Sequence, residues 1–368
     1  MTDLFQYEKK AEEQTMIKAE GKKRKKIQFI DQLHEGESVN DLFSVKQKNP
    51  PRGYKKGTFF DILLTDKTGD INVKFWGGDN KERVKRLFDS FNTGDVVQIR
   101  AGSVERYNDK LQISINEKSG GLRRCNEQEY DTSDFVAALP EDEIKRLYKS
   151  LQTYIDAIEN PQLSSLLKEF FDDEEFADDY IHTPSAMSHH HNLIGGNLQH
   201  SLGVVKLSYT ISEYYSELDR DLLITGAILH DIGKIKSYQT TTTIGRTDIG
   251  NFIGHIVVGD RWIREKISDL RKKGVSFDET LEMKLCHMIL SHHGRLEYGA
   301  PKLPAFPEAA ALFQADLMDS QVKNFLQKIE EKREDSTENW SFMYDPDING
   351  RKAVYLDNAD KTDRTIEE

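Results

Sequence analysis

Ten of the chain's eleven histidines fall between His182 and His293, and only His34 lies outside that span. Imidazoles gathered in one region equip a chain for metal binding or proton transfer. Helical spacing sorts the cluster further. Between Gly196 and Tyr215, His200 shares a face with Val204, Leu207 and Ile211. In LLITGAILHDIGK (222–234), His230 lies on the face of Leu223 and Ala227, and Asp231 follows directly. Leu281, Leu285, Met288 and His292 recur at helical intervals, and Asp316 shares a face with Leu312 and Phe313. One inward histidine is ordinary core material. An unpaired buried carboxylate is not, because desolvating its charge is costly. Two inward carboxylates, Asp231 and Asp316, among inward histidines compensate one another when cations sit between them. That donor set suits Mn, Fe, Zn or Ni better than Mg or Ca.

The elements that must position these groups are helical from about residue 141 to 333, with Leu147, Leu151, Tyr154, Ile155 and Ile158 as one apolar stripe. Residues 36–120 have a different period. Val39–Lys46, Gly57–Thr65, Ile71–Trp76, Val96–Ser103 and Lys110–Ile115 read as strands, and Lys81–Phe91 as a helix between the third and fourth. Five strands with a helix at that place is the order of the OB-fold barrel. The fold class is therefore multidomain: a small all-β OB-fold barrel followed by an all-α domain. Residues 1–35 form a charged lead with the run Lys22-Lys23-Arg24-Lys25-Lys26, read as a solvated tail or helix face, or else an arm for phosphates. Residues 121–140 read as a linker, and 334–368 as a tail with a short hairpin or extended segment around Asn349-Gly350.

The net charge of −12 is unevenly shared. Residues 1–120 hold 23 Lys and Arg against 19 Asp and Glu, and the remainder holds 28 against 44. A polyanion would meet the first third more readily than the rest. The two cysteines, Cys125 and Cys286, stand far apart, which argues against a disulfide framework or thiolate metal site and fits a reducing cytoplasm. No apolar run is long enough for a membrane span, and the charged start has no secretory core.

The order His200, His230-Asp231, Asp316 resembles the HD superfamily of metal-dependent phosphohydrolases. More closely, HHHNLIGGNLQHSLGVV (189–205), ILHDIGKIKSY (228–238), NFIGHIVVGD (251–260), ILSHHGRLEYGAPKLP (289–304), FQADLMDS (313–320) and LLTDKTGDINVKFW (63–76) resemble the YhaM-type 3′-to-5′ exonucleases. Those enzymes couple an OB-fold to an HD domain, a plan shared by related archaeal helicase-associated nucleases. The resemblance implies one metal held by His200, His230, Asp231 and Asp316. Asp231 would bridge to a second held by His255 and His292, with His293 as a further candidate. It implies two divalent transition-metal ions, Mn first and Fe, Ni or Zn as alternatives. Hydroxide attack at that binuclear site would cut single-stranded RNA or DNA to nucleoside 5′-monophosphates. Lys234, one turn beyond Asp231, would neutralise phosphate charge or lie solvated at a helix end. His190 and His191 would contact the scissile phosphate or the 3′ end. A helicase or other nucleic-acid-processing partner, and a homo-oligomer, are left open.

In the barrel, Phe59, Phe60, Phe75, Trp76 and Tyr107 are the candidates for base stacking, with Lys55, Lys56, Lys74 and Arg106 for phosphates. Alternation puts Phe75 and Trp76 on opposite faces. Four rival functions use the same motifs. A cyclic-dinucleotide phosphodiesterase would carry Gly-Tyr-Pro after the double histidine, where this chain reads GRLEYGAP. A diiron oxygenase of the same fold has no evident use for the barrel. A phosphohydrolase acting on mononucleotides would need the barrel only for assembly. A binding module with a vestigial site would have no need of a full ligand set.

Overall fold

The computed structural model describes residues 23–108, 110–186, 193–335, 338–345 and 350–356. Two compact units emerge, Met1–Ala138 with Gln239–Gly245, and Leu139–Tyr238 with Arg246–Glu368.

The first unit is a curled sheet of nine strands: β1 (Ser38–Val39), β2 (Leu42–Lys48), β3 (Arg52–Tyr54), β4 (Gly57–Asp66), β5 (Gly69–Trp76), β6 (Val96–Arg100), β7 (Gly102–Tyr107), β8 (Lys110–Asn116) and β9 (Gly121–Arg124). Helix α1 (Lys81–Asp89) follows β5. The strand order is β1-β7-β8-β5-β4-β2-β6-β9, with β3 added on β4. Strands β4 and β5 form a long hairpin running from Phe59 opposite Trp76 to Asp66 opposite Gly69. Strand β5 then lies parallel to β8, as the predicted OB-fold order requires. The period of two sends Phe60, Ile62 and Leu64 of β4 and Ile71, Val73 and Phe75 of β5 inward, where they meet Val97, Ile99, Ile113 and Ile115.

More strands are present than the five predicted, for local reasons. The first predicted strand breaks before Leu42, where buried Asp41 turns its carboxylate to accept from the amides of Ile27 and Gln28, each at 2.7 Å. The fourth breaks at Ala101, which has φ 51° and whose amide donates to Asn40 Oδ1. The described part of the basic lead is not a loose tail. Lys26 is buried, its ammonium donating to the carbonyl of Leu42 at 2.7 Å and ion-paired with Asp66 at 3.2 Å. The stretch 121–140 is not a linker throughout. Its Gly121–Arg124 pairs with β6, and Tyr130 and Phe135 bury with Leu42, Val96 and Cys125. Thr242, in the segment assigned to this unit, is buried against Ser44 Oγ and the Gly94 carbonyl.

The second unit is helical: α2 (Glu141–Asp156), α3 (Pro161–Phe171), α4 (Glu174–His182), α5 (Gly196–Tyr214), α6 (Arg220–Leu229), α7 (Lys234–Ser237), α8 (Asp248–Phe252), α9 (His255–Lys272), α10 (Glu279–Ser291) and α11 (Pro307–Asp335). Side-chain caps start several of them. Asn160 accepts from Gln162 and Leu163 just ahead of Pro161, and Asp219 and Asp278 accept from Leu222 and Leu281. One core joins the predicted stripe of α2 to Leu198, Leu202, Leu223, Ile228, Leu285, Met288 and Leu312. The predicted tail hairpin is present as β10 (Trp340–Asp345) and β11 (Gly350–Tyr355), with Val354 and Leu356 packed on Phe325 and Ile329 of α11. Asn349 lies outside the described residues. No helix among the described residues is long and apolar enough to cross a membrane.

Candidate metal centre

Five helices deliver the predicted ligands to one buried point. His200 comes from the second turn of α5, and His230 and Asp231 directly follow α6. His255 opens α9, His292 and His293 follow α10, and Asp316 lies in α11. Close approach of the start of α7 to α9 depends on Gly233, where a Cβ would collide with the carbonyl oxygen of His255.

Hydrogen bonds decide which nitrogen each ring offers. His230 Nδ1 donates to the carbonyl of Ala227 at 2.8 Å, His292 Nδ1 to that of Ile289 at 2.7 Å, and His293 Nδ1 to that of Tyr298 at 2.8 Å. A carbonyl can only accept, so these rings present Nε2 lone pairs to the site. His200 Nδ1 stands 2.7 Å from Asp319 Oδ2, which likewise leaves Nε2 facing inward.

The inward atoms converge around Asp231. Its Oδ2 is 3.2 Å from His230 Nε2 and 3.6 Å from His200 Nε2, while its Oδ1 is 3.4 Å from His255 Nε2 and 3.8 Å from His292 Nε2. Asp316 Oδ1 is 3.1 Å from His200 Nε2. Two groups of donors result, His200–His230–Asp231 and His255–His292–His293, each with its ligand atoms within 4.8 Å of one another.

Whether these residues fit metal ions is tested by their unmet bonding. Asp231 Oδ1, His255 Nε2 and His292 Nε2 are buried and have no hydrogen-bond partner among the described residues. Nε2 of His200 and Nε2 of His230 face each other at 3.3 Å. Lone pairs so placed repel unless a proton or a cation lies between them, and unpartnered buried polar atoms are costly. The donor set is thus consistent with divalent metal binding.

The electrostatics agree. Burial would push the His200 imidazole down, but hydrogen bonds to Asp316 and Asp319 raise it to about 9, so a proton takes the cation's place. Burial would raise both carboxyls, yet Lys234 and His230 hold Asp231 well below the usual range, and the His200 ring, aided by His230 and His292, holds Asp316 below it. Burial, helped by the neighbouring Lys234, His293 and His230, pushes His255 down to about 3, and burial with His293 and His230 takes His292 well below its ordinary value, so both rings stay neutral. Lys234 is no solvated helix-end lysine. It is buried, with its ammonium 2.5 Å from Asp231 Oδ2 and 3.2 Å from Ser185 Oγ.

The barrel candidates divide. Phe60 is fully buried, stacked on Phe75 in the core at a ring separation of 5.0 Å, and so is unavailable for base stacking. Its neighbour Phe59 faces outward, in a cluster with Trp76 at 5.3 Å and Tyr54. The Lys74 ammonium lies 5.2 Å from the Trp76 ring and 5.6 Å from that of Tyr107, which is 59% exposed. Asp61 shares this face, paired with Arg52 at 2.6 Å and Lys74 at 3.8 Å. Lys55 and Lys56 are exposed in the turn between β3 and β4, and Arg106 pairs with Glu35 at 3.2 Å. Tyr54, Arg52 and Asp319 were not singled out from sequence. His190 and His191 lie outside the described residues.

The chain matches the HD domain family over residues 197–365 and the OB-fold nucleic acid binding domain over residues 44–118. It is 28% identical over 295 residues to the 3′-5′ exoribonuclease YhaM of Listeria welshimeri, covering 80% of this chain and 88% of that protein. To the 3′-5′ exoribonuclease YhaM of Bacillus subtilis it is 29% identical over 294 residues, covering 79% of this chain and 87% of that protein. The chain is therefore an OB-fold plus HD-domain protein, with the YhaM exoribonucleases as its relatives over about four fifths of its length.

Proposed function

We propose that the chain is a metal-dependent 3′-to-5′ exonuclease that shortens single-stranded RNA or DNA and releases nucleoside 5′-monophosphates. The observation that carries this reading is the cluster of buried metal-donor atoms around Asp231 that have no hydrogen-bond partner among the described residues. His200, His230, Asp231 and Asp316 would hold one divalent ion, and Asp231, His255, His292 and His293 a second, with Mn the first expectation. When bound, such ions supply activated water and positive charge for in-line displacement at phosphorus.

The chain's own residues set the rest. The two oxygens of Asp231 are directed at the two donor groups, which makes this side chain the natural bridge. Lys234 places a fixed positive charge beside that bridge, where it can offset charge on a bound phosphate. His190 and His191 remain candidates for the scissile phosphate. Phe59, Trp76, Tyr107 and Lys74 form a sequence-tolerant stacking and phosphate surface for an unpaired strand. Polarity comes from the relatives' activity. The products come from chemistry: displacement at the phosphorus next to the terminal nucleotide expels the 3′ oxygen of the preceding residue and leaves phosphate on the 5′ carbon. No 2′-hydroxyl takes part, so DNA is cut by the same chemistry.

A 5′-labelled single-stranded oligonucleotide incubated with the protein and Mn tests the proposal. The expected result is a ladder shortening one nucleotide at a time and stopping near a duplex. Immediate release of labelled mononucleotide, or 3′-phosphate products, would refute it.

A further inference from the structure

We propose that Asp319 is a positioning residue that selects the metal-binding tautomer of His200, an inference that rests on the metal-centre reading above. His230, His292 and His293 have their Nδ1 protons fixed by backbone carbonyls. His200 differs, because its Nδ1 faces a side chain, Asp319 Oδ2, at 2.7 Å. A carboxylate accepts and cannot donate, so it holds the proton on Nδ1 and leaves Nε2 aimed at Asp316, Asp231 and His230.

The surroundings maintain that carboxylate. Asp319 is buried on α11, one turn beyond Asp316. Its other oxygen is 3.4 Å from the ammonium of Lys323, itself one further turn along the helix. Gly203 of α5 makes room for it, since a Cβ there would collide with the Asp319 carboxylate. Thus α11 delivers two acids to His200 with separate tasks: Asp316 beside the metal-facing nitrogen, and Asp319 on the far nitrogen.

This arrangement distinguishes a tautomer selector from a mere hydrogen-bond partner. Asp319→Asn keeps size and bonding capacity, so a purely structural contact survives it. The amide oxygen, however, is drawn to Lys323, which turns the NH2 toward His200. That amide donates to Nδ1, moves the ring proton to Nε2 and blocks the ligand position.

The test compares wild type, Asp319→Asn, Asp319→Ala and Asp231→Ala by Mn titration of the metal-free full-length chain against a chelating dye. The His200 tautomer is read by 15N histidine NMR of the metal-free chain at a pH above the His200 transition, where the ring is neutral. Asp319→Asn is expected to melt like metal-free wild type, to show the Nε2–H tautomer, and to bind Mn about 10- to 100-fold more weakly. Wild-type Mn affinity with an unchanged Nδ1–H signature in both Asp319 variants would overturn the role of Asp319. Failure of wild type to bind Mn at all, or Asp231→Ala binding as wild type, would instead overturn the metal-centre reading.

Discussion

His200 and His230 point their Nε2 atoms at each other across 3.3 Å, while the Nδ1 atom of each ring is engaged elsewhere, on Asp319 and on the Ala227 carbonyl. Two rings oriented this way leave room for one positive charge between them. In the metal-free molecule a proton fills that role on His200, whose imidazole is raised to about 9.

Metal uptake must therefore expel that proton. Titrating a divalent ion into the metal-free protein at about pH 7.5 should release about one proton per chain from this site, read from binding heats in buffers of different ionisation enthalpy. Heats independent of the buffer would count against it.

Stability of the metal-free protein should fall on both sides of pH 6.5. His200 is raised above its ordinary 6.5 to about 9, so the stability it adds is complete below pH 6.5 and lost as pH rises through 9. His255 is lowered from 6.5 to about 3, so the unfolded ring gains a proton that the folded ring refuses, and stability is lost as pH falls from 6.5 toward 3. Melting temperatures across this range check both signs. A melting temperature that rose steadily through the range would contradict them.

On the barrel, Trp76→Ala or Phe59→Ala should weaken binding of a single strand by about 1–3 kcal/mol, roughly 5- to 150-fold in Kd. Hydrolysis of bis-p-nitrophenyl phosphate should be unchanged, because that small diester needs no stacking surface. Equal loss on both substrates would place these residues in the fold rather than on the strand's path.

Lys26→Met should destabilise the barrel by about 3–5 kcal/mol, since it leaves Asp66 buried without its cation. Urea denaturation followed by fluorescence reads this in a chain carrying Trp262→Phe and Trp340→Phe, where Trp76 alone reports. A loss under about 1 kcal/mol would show that the pair contributes little.

Most of the candidate metal centre was legible because its proposed ligands obey helical spacing: His200, His230, His292 and Asp316 each sit on an apolar stripe, which a solvated residue rarely does. Asp319 was not, because it is one acid among many on a helix, and only the crossing of α5 shows which of them meets His200. In the barrel, Phe59 and Phe60 both read as stacking candidates, although strand alternation puts them on opposite faces. The clue lay in the neighbours: Phe60 shares its face with Ile62 and Leu64, whereas Phe59 shares its face with Asp61. Lys26 was misleading for the opposite reason. Inside a basic run it resembles solvated charge, and its burial depends on Asp66, forty residues away in sequence. Strand β9 was obscured by acidic, turn-rich surroundings, since a four-residue edge strand leaves too few positions for a period to register.

In the proposed function, Asp231 joins two metal-binding groups into one hydrolytic site. Asp231→Ala, compared with wild type for bound Mn by elemental analysis and for shortening of a 5′-labelled single strand, tests it most directly. The variant is expected to fold, hold less metal and leave the strand intact, whereas wild-type metal content together with wild-type turnover would rule out the bridging role of Asp231.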